Sequence, residues 1–198
     1  MTLFSDPCSQ YSHRVRIVLA EKGVTVDIED IDPNNVTQEI LEANPYGTLP
    51  TLVDRDLALY ESKVVMEYLD ERFPHPPLLP VYPVSRANSR TLMLRINKEW
   101  CPLVDKLIAN ELSQKELLIV KEELLNEIST VAPTFKEFEF FMSEDFGLVD
   151  CSLAPLLWRT RCLGLEINEN KEIIESYSDR IFNRESFQAS LTETEKDM

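Results

Sequence analysis

The chain of 198 residues carries a formal net charge of −15, and 43% of its residues are hydrophobic, enough for one large or two small packed domains. The acidic excess is spread evenly along the chain, which argues against direct contact with DNA or RNA and favours basic protein surfaces as partners, unless the charge serves only solubility. No run approaches the roughly 18 apolar residues of a membrane helix, and the first residues lack a signal-peptide pattern. We therefore expect a cytoplasmic protein.

The first third of the chain predicts a mixed α/β unit with the order β-α-β-α-β-β-α. Val24, Val26 and Ile28 alternate with polar residues, as in a strand, and Gly23 is typical of the end of the preceding helix. The predicted elements are strand 2–4, helix 9–22, strand 24–31, helix 37–43, strands 50–54 and 57–60, and helix 62–72.

Residues 73–83 contain five of the chain's 12 prolines, a density that cannot continue a helix and favours a stiff, extended segment. The predicted domains are therefore 1–77, a proline-rich linker 78–85, and a helical domain 86–198. Within the last of these, helical patterns run over 92–107, 116–131 and 149–163, with Pro102 and Pro155 expected to kink the first and third.

Metal and disulfide chemistry is not expected. The four cysteines form no CxxC pair, and the two histidines, His13 and His75, do not stand at metal-ligand spacing from them. We expect reduced and mostly buried thiols, no metal and no cofactor.

The segment Asn44–Val53, followed by Leu59–Ser62, resembles the thioredoxin-like domain of glutathione transferases. The resemblance implies a two-domain fold in which a loop with a cis proline, here Leu49 and Pro50, pairs with the peptide part of glutathione. It also implies that Glu61 and Ser62 hold the γ-glutamyl carboxylate at a helix N-terminus. The alternative is that these positions survive only because the fold needs them.

The same resemblance places the catalytic position at the start of the first helix. Alignment on Arg14-Val15-Arg16 puts Ser9 there, with Cys8 one residue earlier. A helix N-terminus favours a thiolate, but one residue of offset turns a side chain by about 100° around a helix. Ser9 can activate a thiol or simply cap the helix, which is the commoner role of serine at this position. We expect no catalytic residue, and Ser9 or Cys8 if the chain is an enzyme.

In the helical domain, glutathione transferases often cap the central helix with a Ser/Thr-x-x-Asp box. Here Asp150 is kept and Gly147 replaces the hydroxyl residue. The loss of one side-chain hydrogen bond is expected to cost a few tenths of a kcal/mol.

A closer resemblance is to the stringent starvation protein A family. It rests on Tyr11–Gly23, Met66–Leu78, Pro80–Val84, Leu148–Cys151 and Leu153–Arg159, and it extends over nearly the whole chain. It implies a homodimer of glutathione-transferase fold that associates with bacterial RNA polymerase holoenzyme and sigma factor under starvation or stress, without transferase activity. The partner-binding residues would be Pro74, His75 and Pro76, with Tyr82 nearby. On sequence grounds alone, this segment also fits a rigid interdomain linker.

Three functional classes follow. The first is a non-enzymatic regulator of transcription that binds polymerase through the proline-rich segment. The second is a glutathione-dependent transferase or thiol oxidoreductase that uses Ser9 or Cys8. The third is a small-ligand carrier, which only the fold favours.

Overall fold

A computed structural model, which describes residues 1–198, divides the chain into two units. The first comprises Met1–Pro77 and Glu185–Met198, and the second comprises Leu78–Arg184. The strands are β1 (Thr2–Ser5), β2 (Asp27–Asp30), β3 (Thr51–Asp54) and β4 (Leu57–Tyr60). The helices are α1 (Gln10–Lys22), α2 (Gln38–Ala43), α3 (Ser62–Arg72), α4 (Pro83–Arg95), α5 (Cys101–Ala109), α6 (Gln114–Glu137), α7 (Leu148–Cys162), α8 (Lys171–Phe182), α9 (Glu185–Ser190) and α10 (Glu193–Lys196).

The first unit is built on one mixed sheet with the strand order β2-β1-β3-β4. Strand β1 pairs parallel with β2 and antiparallel with β3, and β3 pairs antiparallel with β4. Strand β2 is shorter than predicted because the pairing extends over only the four residues of β1. The predicted fold class, an α/β unit followed by an all-α unit, is confirmed.

Helices α1 and α3 pack against each other, and α3 also packs on β3 and β4. Both helices carry fully buried apolar side chains, namely Val15, Ile17, Val18, Val65, Met66 and Leu69. The Ser9 side chain caps the N-terminus of α1, and Gly23 ends the helix with a φ of 61°. Only a residue without a Cβ adopts this left-handed conformation at no steric cost. The α1 boundaries are therefore set by local chemistry that the sequence displays.

The second unit is helical, as predicted, with α7 at its centre. Most of α7 is buried, including the run Leu153–Leu157. Pro102 was expected to kink a helix, and the chain here forms a π-helical turn, Ile96–Trp100, between α4 and α5. A wider turn suits this position because proline cannot donate to the carbonyl four residues earlier. No helix of either unit has the length and apolar character needed to cross a bilayer.

Asp150 organises the start of α7. Its carboxylate accepts hydrogen bonds from the Gly147 and Phe141 N–H groups, both at 2.9 Å, and from the Tyr177 hydroxyl at 2.6 Å. Burial raises the pKa of Asp150, and these three hydrogen bonds act in the opposite direction. The retained aspartate thus joins α7 to α8 and to the segment before it.

Gly147 has a reason to be glycine that the sequence did not reveal. A Cβ built at this position would lie 2.9 Å from the carbonyl oxygen of Leu78, which also accepts the Leu148 N–H at 2.8 Å. A serine cap would therefore collide with backbone. The missing hydroxyl is a consequence of this close approach.

The C-terminal segment 185–198 belongs to the first unit, whereas the sequence had assigned it to the helical domain. Its Glu195 carboxylate, fully buried, accepts from Arg16 Nη2 at 2.7 Å and lies 3.3 Å from His13 Nδ1. Arg16 also donates to the Ser190 carbonyl and to Ser5 Oγ. These buried charges, which sequence periodicity does not show, fix the segment against α1.

We predict that Glu195→Gln lowers the free energy of unfolding by about 3 kcal/mol, because it keeps the shape of the side chain but leaves the buried Arg16 charge without its counter-charge. Urea unfolding followed by circular dichroism measures the change.

The matched control is Glu193→Gln, two residues away. Its carboxylate is 88% exposed and pairs with Lys196 at 2.8 Å, so we expect a change within about 0.5 kcal/mol. Equal effects of the two substitutions would show that the buried cluster does not hold the segment.

Candidate functional site

The register of the sheet places three loops at the same end of its strands. Phe4 pairs with Thr51, and Thr51 pairs with Tyr60. The loop after β1, the loop before β3 and the loop after β4 therefore leave the sheet at the same end. They carry, respectively, Cys8 and Ser9, then Leu49 and Pro50, then Glu61 and Ser62. The structure thus brings the sequence-predicted transferase positions to one region, which we call the loop edge.

The first loop of this edge is ordered by local hydrogen bonds. Ser9 has an extended backbone, and its Oγ accepts the Tyr11 N–H at 3.1 Å. The exposed Cys8 donates its backbone N–H to Asp6 Oδ1 at 2.8 Å. Cys8 precedes the helix, so its direction follows from this turn and not from the helical period. Ser9 occupies the capping position that the sequence offered as one of its two roles.

The second loop contains the cis peptide bond between Leu49 and Pro50, the isomer expected from the sequence. Fully buried Asn44 holds this loop, because its Nδ2 donates to the Thr48 carbonyl at 2.9 Å and to Thr51 Oγ1 at 3.0 Å. Its Oδ1 accepts the Tyr46 N–H at 3.0 Å. Sequence reasoning missed this role of Asn44, although an asparagine two residues before a turn is typical of such side-chain-to-backbone contacts.

The third loop leads into α3. Glu61 is exposed and has a φ of 68° and a ψ of 106°, a conformation that non-glycine residues seldom adopt. Ser62 is buried and begins the helix. The first N–H groups of a helix have no partner within it and are available to an anion. Glu61 and Ser62 therefore stand at the N-terminus of α3, the position that the resemblance gives them.

The loop edge brings together few side chains that could bind a metal ion. No three His, Cys, Asp or Glu side chains of the chain converge as a metal site requires. The distinctive chemistry at this edge is one exposed thiol and one capping hydroxyl.

The Pro-His-Pro loop, residues 74–77, lies at the opposite end of α1 and α3 from the loop edge. It follows the C-terminus of α3, and all four of its residues are exposed. Lys22, in the last turn of α1, donates from Nζ to Asp70 Oδ1 at 2.6 Å and to the Pro76 carbonyl. Because α1 has 13 residues, its two ends are separated by about 20 Å. The predicted partner residues Pro74, His75 and Pro76 are thus remote from the predicted transferase residues.

Tyr82 lies in the second unit, at the position just before α4. It is 76% exposed, and its neighbours Val81 and Val84 are 79% and 74% exposed. Pro83 occupies the first turn of α4, where its missing N–H costs nothing. Arg86 donates its backbone N–H to the Tyr82 carbonyl at 2.9 Å and its Nε to the Pro80 carbonyl at 3.0 Å. This segment therefore presents apolar side chains on a backbone that is itself hydrogen-bonded.

Comparison with protein families agrees with this architecture. Residues 3–77 match the model of the glutathione S-transferase N-terminal domain, and residues 91–185 match the model of its C-terminal domain. Among solved structures, glutathione transferase Omega 3C from Trametes versicolor superposes with a TM-score of 0.86 at 25% identity, covering 97% of this chain and 84% of that chain. The bacterial glutathione transferase BphK gives a TM-score of 0.88 at 21% identity over 99% and 100% of the two chains, a likeness of fold alone. The fold and the loop edge define a protein of the glutathione-transferase class.

Relatives of higher sequence identity show which family within this class the chain belongs to. The chain is 53% identical to the stringent starvation protein A homolog of Pasteurella multocida over 96% of this chain and 90% of the relative. It is 52% identical to the homolog of Coxiella burnetii over 100% and 94%. The chain belongs to the stringent starvation protein A family.

We predict that Ser9→Ala destabilises the protein by about 1 kcal/mol, because the first turn of α1 loses its capping acceptor, and that Ser9→Asn restores most of the loss. Chemical denaturation with circular dichroism detection measures both variants.

Cys8→Ser is the control, since the side chain is exposed and its backbone contact with Asp6 remains; its unfolding curve should coincide with that of the parent. A Ser9→Ala variant as stable as the parent would rule out the capping role.

Proposed function

We propose that this protein is a non-enzymatic regulator of transcription that binds bacterial RNA polymerase holoenzyme and sigma factor in the cytoplasm under starvation or stress. It acts as a homodimer, in keeping with its family. The proposed contact residues are Pro74, His75, Pro76 and Tyr82. Family membership supports the partner, and the exposure of the proline-rich segment supports the surface.

The observation that carries the proposal is the exposed apolar side chains on a constrained backbone. Prolines 74, 76, 77, 80 and 83 restrict the backbone, while Val81 and Tyr82 are more than three-quarters exposed. Exposed apolar clusters on soluble proteins mark interaction sites. A constrained loop loses little conformational entropy on docking, so more of the contact energy appears as affinity.

Tyrosine suits the role of an interface anchor, because it combines a large apolar ring with a hydroxyl and few rotatable bonds. The net charge of −15 adds long-range attraction to basic protein surfaces and repulsion from nucleic acid. The proposed complex therefore forms with the protein subunits of the polymerase and not with promoter DNA.

We predict that the parent chain binds purified polymerase holoenzyme and that Pro74→Ala/His75→Ala/Pro76→Ala weakens binding at least tenfold. Tyr82→Ala alone is expected to weaken it by a similar factor, the usual loss for a buried interface tyrosine. Surface plasmon resonance on immobilised holoenzyme measures the dissociation constants.

Leu118→Ala is the control, because it removes an apolar side chain of similar exposure, 68%, from α6. It should bind like the parent. Absence of binding by the parent would overturn the proposal, and full binding by both loop variants would overturn the assigned surface.

A second function, glutathione-dependent transfer or thiol chemistry, is favoured by one observation: the cis-proline loop and the start of α3 are both retained at the loop edge. Against it, Ser9 Oγ accepts a hydrogen bond from the helix it caps. Exposed Cys8 lies outside the first turn of α1.

We predict that a glutathione-conjugation assay with chlorodinitrobenzene shows no turnover above the uncatalysed rate, because neither side chain is supported as a thiol activator. Glutathione titration calorimetry reports binding separately from chemistry. Turnover that disappears in Ser9→Ala or Cys8→Ser would establish the enzyme instead.

A further inference from the structure

The Pro-His-Pro loop is exposed, yet one of its backbone carbonyls accepts a hydrogen bond from a buried, charged side chain. The Lys22 side chain is fully buried, and the Asp70 side chain is 7% exposed. Their ion pair measures 2.6 Å, and the same ammonium donates to the Pro76 carbonyl. This carbonyl belongs to Pro76, one of the residues that the proposed function assigns to partner contact.

A buried lysine is costly unless its charge is paired and its donors are satisfied. An apolar pair of similar volume in this place would be about as stabilising as an ion pair. Stability alone therefore gives little reason for a lysine here. What an apolar pair lacks is a hydrogen-bond donor for the Pro76 carbonyl.

The location of the pair fits a positioning role. Lys22 stands in the last turn of α1 and Asp70 near the end of α3, and these two helices pack against each other. Proline has no backbone N–H, so the loop has few donors with which to fix itself. A hydrogen bond donated by a helix side chain to a loop carbonyl, as from Lys22 to Pro76, fixes the loop backbone from outside the loop.

We propose that Lys22 and Asp70 are positioning residues of the partner surface: the buried pair holds the Pro76 carbonyl and thereby fixes the orientation in which His75 and its flanking prolines meet the partner. This inference rests on the proposed function for its partner. The pair itself does not touch the partner, and its effect on binding comes through pre-organisation of the loop.

The chain offers an internal probe of this idea, because it has only two histidines. His75 is exposed on the loop, and His13 is fully buried, with Nε2 3.0 Å from Ser190 Oγ. Their imidazole signals in proton–nitrogen NMR spectra report separately on the loop and on the packed body of the same unit.

The test variant is Lys22→Met/Asp70→Asn, which removes the donor and the charge together and so avoids a lone buried carboxylate. We expect the His13 signals to remain, the His75 signals to shift and to show fast averaging, and binding to polymerase holoenzyme to weaken about tenfold. Lys22→Arg keeps the charge and the donors, and it should retain the parental His75 signals and affinity.

Lys171→Met is the matched control, since Lys171 forms a solvent-exposed pair with Glu175 at 3.8 Å. It should leave both histidines and the affinity unchanged. Unchanged His75 signals in the double variant would overturn the inference, as would parental affinity despite a mobile loop. If the double variant does not fold, loss of the His13 signals reveals it, and Lys22→Leu/Asp70→Asn, which also lacks a donor at position 22, takes its place under the same criteria.

Binding of the parent chain to polymerase is measured first, so that failure of the proposed function can be told apart from failure of the inference about Lys22 and Asp70. A parent chain that does not bind polymerase removes the proposed function and this inference with it. A parent that binds, loses binding in the Pro74–Pro76 triple variant and keeps it in the double variant leaves the function standing and removes only the role of Lys22 and Asp70.

Discussion

Helix α1 is the element on which both ends of the first unit depend, because two of its buried charged side chains, Arg16 and Lys22, form ion pairs with other segments. Arg16, near its middle, joins the C-terminal segment to the loop after β1 through Glu195, Ser5 and the Asp6 carbonyl. Lys22, at its end, joins α3 to the Pro-His-Pro loop. Burying these charges is tolerated only because each has a counter-charge and further acceptors. The helix is thus a rigid spacer with a fixed loop at each end.

The two ends of α1 are about 20 Å apart, because the helix has 13 residues. The loop edge holds the positions that the family resemblance assigns to glutathione, and the exposed Pro-His-Pro loop lies at the other end. One fold can offer two separate surfaces, so the retained positions do not by themselves decide the function. This is consistent with the general independence of fold and function.

The backbone of the proline-rich segment is restricted in two ways. Proline restricts the backbone within the segment, which the sequence shows directly. The hydrogen bond from Lys22 to the Pro76 carbonyl and that from Arg86 to the Pro80 carbonyl are contacts from neighbouring helices, which the sequence does not show. In the second unit, Asp150 also connects elements that are separate in sequence, since its carboxylate accepts hydrogen bonds from α8 and from the segment before α7.

The sequence by itself determined the strand and helix order of the first third of the chain, the capped ends of α1, the cis-proline loop and the proline-rich segment, because these follow from periodicity, from φ preferences and from motifs that are local along the chain. Only the tertiary structure decided that residues 185–198 complete the first unit, that Gly147 is required by the Leu78 carbonyl, and that β2 is limited to four residues. It also decided that Lys22, a residue that sequence reasoning passed over, supports the Pro-His-Pro loop. Each of these depends on which distant groups meet after folding. Burial and pairing of charges are long-range properties, and they leave no periodic trace in the sequence.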